Sequence, residues 1–144
     1  MPKSLYYLCV FCGSSVGQHP RFRQVAEELG GKLAAQKIGL VYGGAGIGLM
    51  GAVADAVLEY GGEAIGVMPQ ALVNLEVAHE NLSQFYVVKT MHERKQKLYE
   101  LSQAFVALPG GPGTMDEWFE ILTWAQLRHH NKPIYILNIE IDGA

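Results

Sequence analysis

Short apolar runs alternate along this chain with longer segments whose apolar residues recur at helical spacing. The short runs predict strands at residues 5–12, 38–42, 64–68, 84–89, 104–108 and 133–138. The longer segments predict helices at residues 20–36, 49–60, 90–102 and 114–129, and the poor periodicity of residues 70–83 predicts an irregular segment. Strands that alternate with helices of about a dozen residues form βαβ units. We therefore predict an α/β fold, a Rossmann-like doubly wound parallel sheet flanked by helices in three layers.

Composition and charge limit the classes of protein that this chain can represent. With 144 residues, 49% of them hydrophobic and 17% charged, we expect a single domain over residues 1–144 with its own core. A formal net charge of −3 argues against general binding to nucleic acid or anionic membranes, which requires a basic surface. The sequence shows neither a membrane-spanning apolar stretch nor the pattern of a secretory leader. We expect a cytoplasmic protein with a small-molecule ligand.

Three glycine-rich segments follow predicted strands, at residues 13–17, 43–51 and 110–114. In a parallel sheet the carboxyl ends of the strands meet at one edge, where α/β proteins bind their ligands. The spacing Gly44-x-Gly46 resembles the beginning of a dinucleotide fingerprint, but leucine stands where that fingerprint has its third glycine or an alanine. The pattern favours a ligand site at this edge, and NAD is a weak alternative.

The third glycine-rich segment joins a predicted strand to a predicted helix. Glycines let the backbone approach a ligand closely, and the N–H groups at a helix N-terminus carry partial positive charge, so this junction suits an anion. Thr114 occupies the N-cap position, and Glu117 lies three residues later. The same spacing is that of a capping box, in which the glutamate only accepts a hydrogen bond from the N-cap amide. Ligand chemistry and helix capping both stand as interpretations of Glu117.

A second capping box places cations at the start of another predicted helix. Thr90-x-x-Glu93 predicts that this helix starts near residue 91. Arg94 and Lys95 then stand in the first turns, where the helix dipole disfavours positive charge. Either they form a solvated basic face balanced by glutamates, or an anion compensates them. For Arg94 we favour a ligand role, because a planar guanidinium suits phosphate or carboxylate.

Cysteine and histidine spacings predict neither a metal site nor a redox site. Cys9 and Cys12 form a C-x-x-C, but they lie in a predicted strand, where side chains three positions apart point to opposite faces. A second cysteine pair that would complete a zinc site is absent, and neither His19 nor His79 has a partner at ligand spacing. We interpret the cysteines as buried core thiols, and we predict no metal and no cofactor.

Five blocks of residues, in this order, carry a resemblance to a known family. The blocks are V-F-C-G-S-S at 10–15, V-Y-G-G at 41–44, G-L-M-G at 48–51, M-H-E-R-K at 91–95 and P-G-G-P-G-T-x-x-E at 109–117. Together they resemble the LOG family of cytokinin riboside 5′-monophosphate phosphoribohydrolases, long mislabelled as lysine decarboxylases. The pairing of the last two blocks is the most specific part. The sequence shows no lysine in a pyridoxal-phosphate context, so the decarboxylase label has no physical support here.

The resemblance implies hydrolysis of the N-glycosidic bond of AMP or an N6-modified AMP, which gives the free base and ribose 5-phosphate. It matches Arg94 and Glu117 with the catalytic pair of the family. The positions that match substrate-binding residues of the family are Ser14, Gly44, Glu76, Lys95, Gly110, Gly111, Gly113 and Thr114. Among these, the resemblance assigns the 5′-phosphate to Gly111, Gly113 and Thr114.

The resemblance also brings departures and an alternative. Pro112 stands where the family usually has an aromatic or bulky residue, and family members usually continue past residue 144 with a C-terminal segment that these residues do not include. The family forms homodimers, so we expect a dimer, with a candidate interface on the helix that carries Trp118, Phe119, Leu122 and Trp124. Relatives on the same fold carry molybdenum cofactor. The alternative function is therefore a non-catalytic nucleotide or molybdenum-cofactor carrier.

Overall fold

The structure, a computed structural model, describes residues 6–11, 20–75, 78–107 and 132–136. Its strands are β1 (Tyr6–Phe11), β2 (Ile38–Tyr42), β3 (Ala64–Pro69), β4 (Gln84–Val88), β5 (Ala104–Ala107) and β6 (Ile134–Ile136). Its helices are α1 (Pro20–Ala35), α2 (Gly48–Glu59) and α3 (Met91–Leu101), and a 3₁₀ turn spans Gln70–Leu72. Six predicted strands and three predicted helices are confirmed, with small differences at their ends. The predicted helix at 114–129 lies outside the described residues.

The strands form one sheet in the order β4-β3-β2-β1-β5-β6, and every neighbouring pair is parallel. The chain winds outward from β1 to β4 and then returns to the other side of β1 at β5. Phe11 and Ala107, at the carboxyl ends of β1 and β5, are partners in the register. A reversal of strand order between two parallel neighbours is the switch point at which such sheets bind ligands. The predicted doubly wound sheet is confirmed.

The core lies on both faces of the sheet. Because successive side chains of a strand point to opposite faces, Val10 packs toward α1 and α2, whereas Cys9 and Phe11 pack toward α3. On the first face the cluster includes Leu33 of α1, and on the second face it includes Leu98 of α3. Helices on both sides of the sheet confirm the three predicted layers. Cys9 is fully buried, as expected, and Cys12 lies outside the described residues.

Helices α1 and α2 approach each other closely on the first face. A Cβ atom added to Gly30 would lie 2.6 Å from the Cβ atom of Ala56 and 2.6 Å from the carbonyl oxygen of Val53. Helix α2 ends before Gly61-Gly62, as predicted, and the N–H of Gly62 donates to the carbonyl of Val57 over 2.8 Å. Within the described ranges, no helix combines the length and apolar character needed to cross a membrane.

Candidate functional site

The candidate site lies at the carboxyl edge of the sheet, where β1, β2 and β5 end. Three of its predicted residues, Gly44, Arg94 and Lys95, belong to the described part of the chain. Helix α3 starts at this edge, so it carries Arg94 toward the turn that follows β2. The other predicted site residues lie outside the described residues: Ser14, Glu76, Gly110, Gly111, Gly113, Thr114 and Glu117.

Two hydrogen bonds between side chains and backbone amides fix the start of α3. The hydroxyl of Thr90 accepts a hydrogen bond from the N–H of Glu93 over 3.1 Å. The carboxylate of Glu93 accepts one from the N–H of Lys89 over 2.8 Å. The capping box predicted from the sequence is therefore present in a modified form, because the glutamate reaches the amide one residue before the N-cap. The helix begins at Met91, as predicted.

Arg94 is buried rather than exposed on a basic face. Only 3% of the residue is accessible to solvent. Its Nε donates to the carbonyl oxygen of Val67 over 2.9 Å, and its Nη2 donates to that of Gly43 over 2.8 Å. Its Nη1 lies 4.0 Å from the Sδ atom of Met91. A buried cation requires such partners, and here they join the turn after β2 to β3 and α3 and fix the orientation of the guanidinium. The solvated-face interpretation of Arg94 is therefore wrong.

The two glycines after β2 leave the space that this arrangement needs. A Cβ atom added to Gly43 would lie 2.2 Å from Nη2 of Arg94, so any larger residue would displace the guanidinium. Gly44 has a φ of +91°, which favours glycine, and a Cβ atom there would lie 3.1 Å from the ring of Phe85. Glycine at position 43 therefore lets the turn lie against the guanidinium, and both glycines are buried.

A part of the predicted irregular segment also packs on this glycine turn. Ala78 forms an isolated antiparallel bridge with Ala45. The N–H of His79 donates to the carbonyl of Gly44 over 2.9 Å, and the α-carbon of His79 lies 3.1 Å from a Cβ atom added to Gly46. Residues 78–81 therefore form a wall beside the glycine turn, which we call the loop wall. The described residues of the predicted irregular segment, 70–75 and 78–83, form no regular element apart from the 3₁₀ turn, as predicted.

The imidazole of His79 ties the loop wall to α2, a connection that the sequence analysis missed. Its Nε2 lies 2.6 Å from Oδ1 of Asp55, and its Nδ1 accepts a hydrogen bond from the N–H of Asn81 over 3.0 Å. Only 6% of this histidine side chain is exposed. His79 has no partner at metal-ligand spacing, and that pattern does not reveal a contact with a distant helix. The available signal was Asp55 itself, the first charged residue in the otherwise apolar start of α2.

The remaining charges near the start of α3 have local contacts. Lys95 is partly buried on α3, next to Arg94. The ammonium of Lys97 lies 4.5 Å from the centroid of the Tyr86 ring, a distance typical of a cation–π contact. Among the residues that the structure describes, no three histidine, cysteine or acidic side chains gather as metal ligands would.

Comparison with known proteins gives the family. The family model described as possible lysine decarboxylase matches residues 50–141. A probable cytokinin riboside 5′-monophosphate phosphoribohydrolase, LOGL9 of Oryza sativa subsp. japonica, is 50% identical over 133 residues, which are 92% of this chain and 59% of the relative. A cytokinin riboside 5′-monophosphate phosphoribohydrolase of Rhodococcoides fascians is 48% identical over 138 residues, 95% of this chain and 68% of the relative. The chain thus spans about two thirds or less of the length of these relatives.

Solved structures of other proteins share the architecture. The Moco carrier protein from Chlamydomonas reinhardtii is 25% identical with a TM-score of 0.74, over 92% of this chain and 75% of that protein. The molybdenum cofactor binding protein of Rippkaea orientalis is 20% identical with a TM-score of 0.74, over 94% of this chain and 77% of that protein, and it shows the fold alone. The sequence relatives are far closer. The chain belongs to the LOG family, whose family model is described as possible lysine decarboxylase.

Proposed function

We propose that this protein is a hydrolase of N-glycosyl bonds, a phosphoribohydrolase that cleaves AMP or an N6-modified AMP to the free base and ribose 5-phosphate. The names of the relatives at 48–50% identity support the reaction. The substrate class is that of a cytokinin riboside 5′-monophosphate. The likeness to molybdenum cofactor carriers, at 25% identity or less, supports the alternative of a non-catalytic carrier less strongly.

The observation that carries this proposal is the buried guanidinium of Arg94 at the carboxyl edge of the sheet. The resemblance matches this residue with the arginine of a catalytic pair. Its hydrogen bonds to Val67 and Gly43 hold it in one orientation. A fixed cation at the edge where parallel sheets bind ligands is the arrangement that an anionic substrate requires.

The chemistry that we propose needs a carboxylate opposite this cation, and Glu117 is the candidate. The bond between C1′ of the ribose and the base nitrogen breaks, and its electron pair leaves with the base, which takes up a proton. Water adds to C1′ and loses a proton. The carboxylate of Glu117 orients this water and stabilises the positive charge that develops on the ribose, as carboxylates do in glycoside hydrolysis. Arg94 keeps Glu117 ionised and oriented.

The remaining site residues are proposed as binding groups. Gly110, Gly111, Gly113 and Thr114 hold the 5′-phosphate, since backbone N–H groups of a glycine turn before a helix suit an anion. Ser14 and Gly44 line the ribose and base, and Glu76 and Lys95 make further contacts with the substrate. We also propose a single domain over residues 1–144, a homodimer and a cytoplasmic location. The continuous sheet of the described residues supports the single domain.

The test is release of free base from AMP and from N6-isopentenyl-AMP. We expect release by the wild-type protein and none by Glu117→Gln, which should still bind nucleotide because the two side chains are similar in shape. The matched control is Glu59→Gln, the same chemical change at an exposed residue at the end of α2. This control should release base at the wild-type rate. Turnover that survives in Glu117→Gln would contradict the proposed role, and tight binding of AMP without turnover by the wild type would favour the carrier.

A further inference from the structure

We propose that His79 and Asp55 form a positioning pair that holds the loop wall, residues 78–81, in place beside the glycine turn and so sets the affinity for the nucleotide. This inference rests on the proposed function, because it treats the turn after β2 as one side of the nucleotide cleft. Both residues act through the wall and take no part in breaking the glycosidic bond.

In the described part of the chain, residues 78–81 belong to no strand of the sheet. Their backbone meets the glycine turn at an isolated bridge between Ala78 and Ala45 and at the hydrogen bond from His79 to Gly44. Local opening of a segment that lacks a regular ladder of backbone hydrogen bonds costs little free energy. An additional anchor is therefore needed if the wall is to keep a fixed distance from the glycine turn.

The imidazole of His79 supplies this anchor by reaching helix α2. A depression of about 250 Å³ is lined by residues of the wall together with Gly46 and Asp55. At this depression the imidazole extends from the wall to the carboxylate of Asp55, which belongs to a regular helix packed on the sheet. The histidine side chain is 6% exposed, whereas that of Asp55 is 61% exposed. The pair therefore lies at the surface of the depression and not inside the hydrophobic core.

The hydrogen bonds select one form of the imidazole. Nδ1 accepts from the N–H of Asn81, so it carries no proton in this arrangement. The proton is then on Nε2, which donates to Oδ1 of Asp55. The ring thus fixes the turn of the wall at Asn81 through Nδ1, and it fixes the distance between the wall and α2 through Nε2. An asparagine at position 79 can imitate only the acceptor, and a glutamine can imitate only the donor.

The experiment measures kcat and KM for AMP in variants of the pair. We expect His79→Ala and Asp55→Ala to raise KM about tenfold, the loss of affinity that corresponds to one or two side-chain hydrogen bonds. We expect kcat to remain within about twofold of wild type. Asp55→Asn keeps an oxygen that can accept from Nε2, so its KM should stay within about twofold of wild type. This rescue by the conservative variant separates positioning from charge.

A matched control at the opposite edge of the sheet separates positioning from stability. Tyr7→Phe removes a side-chain hydrogen bond of 2.8 Å to Glu63, which also joins two distant parts of the chain. Tyr7→Phe should lower the melting temperature about as much as His79→Ala does, and it should leave KM for AMP unchanged. An unchanged KM in His79→Ala, or a loss of kcat alone, would overturn the inference.

Failure of the proposed function remains distinguishable from failure of this inference. If the wild type releases no base but binds AMP, the dissociation constant of AMP replaces KM as the readout. A tenfold rise of that constant in His79→Ala would then support the positioning pair while the hydrolase proposal fails. An equal constant in wild type and variant, or no binding of AMP by the wild type, would overturn the inference.

Discussion

Each edge of the sheet has a cationic side chain that donates to a backbone carbonyl, but the two side chains differ in their burial and in their contacts. At the carboxyl edge, Arg94 donates to the carbonyl of Val67 on β3 and to that of Gly43 in the turn after β2, and it is almost completely buried. At the amino edge, Lys132 donates to the carbonyl of Tyr99 over 2.6 Å and lies 3.9 Å from the centroid of the same ring. The lysine is only partly buried and touches a single residue in these two contacts.

This difference shows that the carboxyl edge is the one that fixes the orientation of a charged side chain. Arg94 joins three elements, and the glycine at position 43 leaves space for its guanidinium. The amino edge is instead joined by pairs of ordinary hydrogen bonds, such as those between Tyr7 and Gln103 and between Ala64 and Ser83. A charged side chain with a fixed orientation can bind or orient a ligand, whereas the paired hydrogen bonds of the amino edge contribute to stability. Changes at the carboxyl edge should therefore affect activity, and changes at the amino edge should affect stability alone.

The largest effect is expected for Arg94→Lys. A lysine keeps the charge, but its single ammonium cannot reproduce the planar pair of bonds to Val67 and Gly43. We expect kcat/KM for AMP to fall by about 100-fold or more, and the free energy of unfolding to fall by about 1–3 kcal/mol. Steady-state base release and urea unfolding measure the two effects. Nearly wild-type kcat/KM in this variant would remove Arg94 from the proposed mechanism.

The next effect compares Gly43→Ala with Gly30→Ala. Both substitutions introduce a Cβ atom closer than 3.0 Å to another atom, the first to Nη2 of Arg94 and the second to Ala56 and the backbone of Val53. Each should destabilise the protein by about 1–3 kcal/mol. Only Gly43→Ala should also lower kcat/KM, by about tenfold or more, because it moves the guanidinium. Equal activities of the two variants, assayed well below both melting temperatures, would argue against a role for the arginine's position.

A smaller effect is expected for Tyr7→Phe at the amino edge. The hydroxyl of Tyr7 donates to the buried Glu63, so its loss should reduce the free energy of unfolding by about 1 kcal/mol. We expect kcat and KM to remain at their wild-type values. Urea unfolding at neutral pH gives the stability, and the base-release assay gives the activity. A clear loss of activity would break the division between the two edges.

The smallest effect is a pH dependence that comes from Lys132. Burial lowers the pKa of its ammonium below the usual 10.5, and the opposing attraction of Glu100 is weaker. In the alkaline range the unfolded state then binds more protons than the folded state, so this lysine makes stability increase with pH. We expect the stability of wild type relative to Lys132→Met to increase as the pH rises toward about 10.5. A stability difference between the two proteins that stays constant as the pH rises would contradict the lowered pKa.

Much of the fold followed from the sequence because its signals are local. The apolar runs and helical periodicities predicted β2 and β3 closely, and the Thr90 cap predicted the start of α3. The alternation of strands and helices then predicted the parallel sheet, because βαβ units have few ways to connect. The glycine-rich segment 43–51 was predicted to lie at the ligand edge from its place after a strand, and the positive φ of Gly44 explains the glycine at that position.

The contacts of the site were less predictable because they join residues far apart in the chain. Arg94 bonds to carbonyls 27 and 51 residues away, and carbonyl oxygens leave no trace in a sequence. The partner of His79, Asp55, lies 24 residues away on a helix that was recognised only as apolar. Spacing rules for metal ligands or capping boxes do not detect such pairs, since only the packing of the loop wall on the glycine turn brings them together.

The most direct test of the central claim is the product analysis of AMP incubated with the wild-type protein. The proposed activity predicts free adenine and ribose 5-phosphate in equal amounts, with both products reduced by about 100-fold or more in Arg94→Lys. AMP that binds to the wild type and is recovered intact would contradict the claim. In that case the fixed guanidinium at the carboxyl edge would belong to a binding protein and not to a hydrolase.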